Sequence, residues 1–253
     1  MKTIQFTAML SALIIASAGV ADSGHAHGPA IDRADAILSA ESRSTVAAFD
    51  VLAAHVHLSD GAVTFHMTTR GDAGAELPKP AGVLGGAPVW SYVWPTDLDP
   101  ATVGFDSGAG ILAMAATNHP DFDDTPLYDE SGDGDAGNDG GVWHSHWVVL
   151  APNPACGPGA LGVVDIPEGV EPALPDTWPG LPILIDSPGY ATTFEGTEVS
   201  VTADDLAVPP GTAYDGVTAA LRVNENIHAP LLCVTDVFDV ASGDLSLPGR
   251  ISD

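Results

Sequence analysis

From residue 50 onward, glycine, proline and aspartate cut the chain into short β-branched runs, and this punctuation restricts the possible folds more than any other feature. The runs read VLAAHVHL, AVTFHMTT, VWSYVW, GILAMAAT, VWHSHWVVL, GVVDI, PILIDS, EVSVTA, VTAALRV and LLCVTDVF. Runs of this length bounded by turn residues specify antiparallel strands. The expected fold is therefore all-β, an antiparallel β-sandwich or barrel. Helical patterning is confined to Ala30–Asp50, so residues 22–45 are expected to be a tail or short helix ahead of one β-rich domain over 46–253. No internal repeat or Pro/Ser-rich linker divides that domain.

The first residues have a different purpose. Lys2, the apolar run Phe6–Ile15 and the small residues up to Ala21 follow the order of a secretory signal peptide. Cleavage is expected after Ala21, giving an exported periplasmic or extracellular product with no lipid anchor and no membrane span. Removing residues 1–21 leaves 6 basic against 34 acidic residues, a formal charge near −28. Nucleic acid and anionic membranes are poor partners for such a surface, and cations are good ones. The only cysteines, Cys156 and Cys233, are expected to form one disulfide, as suits an oxidising compartment.

Asp60-Gly61 sits between two alternating runs in Asp50–Arg70 and marks a tight hairpin. With these two residues as the turn, Ser59 faces Ala62, Val56 faces Phe65 and His55 faces His66. That register puts the apolar side chains on one face and His55, His57 and His66 on the other, whereas a slip of one residue would mix them. Three neutral imidazoles on one facet are a donor set for zinc or copper. Trp143-His144-Ser145-His146-Trp147 repeats the spacing, with both imidazoles on one strand face and both tryptophans on the other. His144 and His146 either complete the hairpin site or form a second one with His119 or His228. His25-Ala26-His27 near the mature terminus reads as an accessory metal-catching tail.

The segment Asp121–Gly141 is nearly all acid and glycine and is expected to be a long loop. Asp129, Ser131 and Asp133 alternate ahead of Gly134 as in an EF-hand loop, but Gly140 stands where the terminal glutamate belongs. A weak calcium site drawing on Asp129, Asp133, Asp135 and Asp139, with Asp123 and Asp124 nearby, remains one reading; a solvated acidic loop is the other.

Nucleophile machinery is not legible: there is no G-x-S-x-G elbow, Ser187 in DSPGY lacks that context, and neither a phosphate-cradling loop nor H-E-x-x-H occurs. His144-Ser145-His146-Trp147 resembles the His-x-His-Trp strand of α-type carbonic anhydrases, and His55-Val56-His57 is similar to a triplet of copper,zinc superoxide dismutases. Each likeness ends within a few residues, and the cupin spacing fails because no glutamate follows His146 at the required distance. The function expected from the residues is an exported metal-binding protein holding copper or zinc on its histidine facet, in storage, delivery or homeostasis. Copper is placed ahead of zinc because nitrogen sites bind Cu(II) more tightly. Two alternatives stand beside it: a secreted metal-dependent hydratase, hydrolase or oxidoreductase, and a calcium-stabilised structural or surface-interaction domain.

Overall fold

The computed structural model describes residues 35–79, 83–120, 128–225 and 230–252. Fourteen strands and three short 3-10 turns make up its regular structure, so the expected all-β antiparallel class is what forms. Of residues 22–45 the structure describes 35–45: Ile37–Leu38 (β1) pairs with Ala53 and Ala54, Ile37 enters the core, and a 3-10 turn follows at Ala47–Phe49. The pairing continues with the Ser39 N–H donating to the Leu52 carbonyl at 3.0 Å, and the β-branched Ile37 suits an extended strand.

One layer is a five-stranded antiparallel sheet in the order β1, β2 (Val51–Ser59), β3 (Ala62–Thr69), β10 (Glu198–Ala203) and β9 (Ala191–Glu195). Asp60 and Gly61 adopt φ of 52° and 88°, as a turn with two left-handed positions requires, and Ser59–Ala62, Val56–Phe65 and His55–His66 pair in the expected register.

The second layer closes on itself. β5 (Ile111–Asn118), β4 (Pro88–Pro95), β12 (Val217–Val223), β13 (Leu232–Val240), β7 (Leu161–Val163) and β6 (His144–Pro152) are neighbours in that order, and β5 pairs with β6 to complete a six-stranded barrel. β8 (Ile185–Asp186) adds to β6 beside β7. Short β11 (Ala213–Tyr214) and β14 (Gly249–Arg250) pair separately.

Barrel strands bury both faces, which explains why VWSYVW and HWVVL run apolar without a break. Along β4, Trp90, Tyr92 and Trp94 point out of the barrel, while Val89, Ser91 and Val93 point in. The outward set meets Val56, Phe65, Met67, Val199 and Val201 of the five-stranded sheet in the main core, where Phe65 lies edge-on to Trp147 at 5.7 Å. Gly216, just ahead of β12, permits this approach: a Cβ there would collide with Ala54. The molecule is thus both sandwich and barrel, a sheet laid on one wall of a closed barrel.

Cys156 and Cys233 are bonded, with Cα atoms 5.4 Å apart across 77 residues of sequence. Closing a loop of that length removes denatured-state freedom equivalent to about 4 kcal/mol. Among the described residues no helix is long and apolar enough to cross a membrane.

Candidate metal centre

The inward face of β6 carries His144, His146, Val148 and Leu150, and Trp147 lies on the outward face, so the expected division of this strand holds. Pairing of β6 with β5 sets Thr117 opposite His144 and brings His119, one residue beyond Asn118, to the same end of the barrel. The chain returns from the acidic loop to supply Glu130. Ligand atoms of His119, Glu130, His144 and His146 all lie within 4.8 Å of one another.

The closest approaches are 3.1 Å between His119 Nε2 and His144 Nε2, 3.2 Å from His119 Nε2 to Glu130 Oε2, and 3.6 Å from His144 Nε2 to the same oxygen. A divalent ion bonded at roughly 2.0–2.1 Å in tetrahedral geometry has ligand–ligand edges of about 3.4 Å, so the spacing matches the size of an ion.

Hydrogen bonds on the far side of each ring fix what the site presents. A carbonyl oxygen only accepts, so the contact from His146 Nδ1 to the Asp186 carbonyl, at 3.1 Å, places the proton on Nδ1 and leaves Nε2 with its lone pair. His119 Nδ1 faces the Pro120 carbonyl at 3.3 Å, which turns Nε2 towards Glu130 and His144. Ser187 Oγ lies 3.1 Å from His146 Nδ1 and donates to Glu130 Oε1 at 3.5 Å, tying one ligand to another. The Trp147–Asp186 pairing of β6 with β8 is what puts Asp186 and Ser187 behind His146.

Protonation runs in the same direction. Burial holds His144 well below the ordinary imidazole range, reinforced by His146 and His119, and burial likewise lowers His146. For Glu130, burial pushes upward, but the hydrogen bond from His119 and the neighbouring imidazoles outweigh it and bring the carboxyl down to about 2. The set therefore brings three imidazoles, two of them lowered by burial, and a carboxylate to one point, the ligand types a divalent transition metal takes. His144 and His146 are each only 2 % exposed.

The hairpin histidines behave otherwise. Their register is as expected, but the rings stack with centroids 5.2, 5.3 and 6.2 Å apart, and no ligand set among the described residues includes them. Three side chains rising in parallel from a sheet lie flat against one another instead of aiming at a common point. Of the two readings for His144 and His146, the site with His119 is the one that forms; His228 lies outside the described residues, as do Asp123, Asp124, His25, His27 and residues 1–21.

The described carboxylates of the acidic loop bond within the loop itself. Asp129 accepts from the Asp133 and Gly134 amides, Asp133 from the Asp135 amide and Asn138 Nδ2, and Asp135 from the Gly137 amide. Asp139 is buried and accepts from the amides of Glu130 and Ser131. These carboxylates fold the loop by satisfying its own N–H groups, and they form no common ligand set.

Glu130 escaped the sequence reading because it falls at an even position inside an aspartate pattern that suggested calcium. Its one distinguishing signal is that it is the sole glutamate in Asp121–Gly141. Comparison with protein-family models, curated proteins and solved structures finds no match.

Proposed function

We propose that the chain is an exported metal-dependent enzyme whose ion is held by His119, Glu130, His144 and His146 at one end of the barrel. The observation that carries this reading is the convergence of ligand atoms of His119, Glu130, His144 and His146 within 4.8 Å of one another, two of the residues buried and two partly buried. Export is supported by the leader-like first residues and by the disulfide. Nitrogen-rich sets with one carboxylate suit zinc, copper and other divalent transition metals. Such an ion supplies Lewis acidity and a bound water of lowered pKa.

Storage or delivery, the first function expected from the residues, requires an ion that enters and leaves readily. Ligands that are buried or partly buried and braced by Ser187 and two backbone carbonyls suit a resident ion better. Moreover, His119, Glu130 and His146 line a cavity running into the barrel, where a reactant can meet the metal.

The test is metal content by mass spectrometry on protein purified from its native compartment. The expected result is one equivalent of a transition metal in the wild type and in His55→Ala/His57→Ala, and none in His144→Ala/His146→Ala. A wild type without transition metal, or metal lost with the hairpin pair and kept without the barrel pair, overturns the proposal.

A further inference from the structure

The barrel is not filled. Small barrels normally have interiors just wide enough for their own side chains, yet this one encloses a cavity of about 170 Å³. Small residues on the wall make room for it: cross-strand pairing joins His146 to Ala115 and Ser91 to Ala219, alanine and serine where Val, Leu or Ile would close the gap. The rest of the wall is aliphatic and includes Val89, Val93, Val148, Leu221 and Leu232. Ser91 adds no free polarity, because its hydroxyl donates to the Ala219 carbonyl.

Polar groups gather at one end only. His119, Glu130 and His146 line that end, and so does Thr117, which is 6 % exposed and whose Oγ1 has no hydrogen-bond partner. A buried hydroxyl left unsatisfied is costly, and a ligand oxygen lying between Thr117 and the ion would satisfy it.

We infer that the barrel interior is the binding site for a small apolar molecule with a single oxygen head group, the head directed to the metal end and Thr117, and the hydrocarbon body held among the aliphatic walls. The size is set by volume: a cavity of roughly 150 Å³ lined by aliphatic side chains accommodates a benzene ring, so the body is about six carbons. The head-group part rests on the metal-centre reading; the apolar part does not.

Two titrations separate them. In the first, straight-chain monocarboxylates from acetate to hexanoate are titrated calorimetrically into metal-loaded protein. Affinity is expected to rise about fourfold per methylene, with the rise abolished in Ala219→Leu and every member weakened alike in the near-isosteric Thr117→Val. In the second, toluene is titrated into metal-stripped protein; it is expected to bind the wild type and Thr117→Val but not Ala219→Leu. Affinity independent of chain length, with metal present, overturns the inference and leaves the metal centre standing. Toluene binding without any metal uptake overturns the head-group orientation together with the proposed function, and supports the apolar site. Failure of toluene to bind the wild type overturns the apolar site whatever the metal does.

Discussion

Ser187 is the residue through which the surroundings of the proposed metal centre act on His146 and Glu130. Its hydroxyl lies against His146 Nδ1 and donates to Glu130 Oε1, so it fixes a ring and a carboxylate together. Partners of this kind are typically worth 10- to 100-fold in metal affinity. Ser187→Ala is therefore expected to lower affinity by about tenfold or more in a chelator competition, while thermal unfolding of the metal-free chain stays close to wild type. A second residue-scale consequence concerns His66. Burial, with help from His57 and His55, lowers its pKa to about 4. A histidine whose folded pKa lies below its unfolded value near 6.5 takes up its proton more readily when unfolded. Its neutral form thus supports the fold above that value, and stability falls as pH drops from about 6.5 towards 4. Urea midpoints measured across that window are expected to decline less in His66→Gln than in the wild type; equal declines would remove His66 from the acid response.

The acidic loop and its carboxylates are best understood as an element. Asp139 clasps the amides of Glu130 and Ser131, whereas Asp133 turns outward to fold the loop tip. Asp139→Asn is expected to loosen Glu130 and weaken metal binding several-fold, and Asp133→Asn to leave it unchanged, with calcium shifting the melting temperature of neither; a calcium-dependent shift lost in Asp133→Asn would restore the calcium reading. The contrast between loop and hairpin shows what sequence makes legible. Strand periodicity and the Asp60-Gly61 turn determine register, because a slip would bury histidine, and the His55–His66 pairing follows directly. Which way neighbouring imidazoles lean is decided by ring contact after the strands are paired, and the alternation of His55 and His57 carries no information about it. The inward direction of His144 and His146 was readable for the same reason as the register. Glu130 was not, since its position depends on a non-repetitive loop held by hydrogen bonds that its amides donate to Asp139.

At the scale of the whole molecule, barrel closure is what makes the site. β5 and β6 are joined edge to edge, and this sets His119 beside His144; in an open sheet the same residues would stand at a solvent-exposed rim. The run pattern allowed either sandwich or barrel, because alternation specifies which face a residue occupies and not whether a sheet meets its own edge. Aromatic residues outward along β4, with Ser91, Ala113, Ala115 and Ala219 inward on β4, β5 and β12, are the compositional trace of closure, visible once the strand order is known. The same arrangement ties the metal end to a cavity behind it, so the folding of the barrel and the chemistry proposed for it share one set of side chains.

The most direct measurement is anomalous scattering from crystals of the protein as purified, collected on either side of the absorption edge of the metal that elemental analysis finds. One peak at roughly 2.0–2.2 Å from nitrogens of His119, His144 and His146 and an oxygen of Glu130 is the predicted result. A peak among His55, His57 and His66, or no peak within bonding distance of the barrel cluster, would contradict the account.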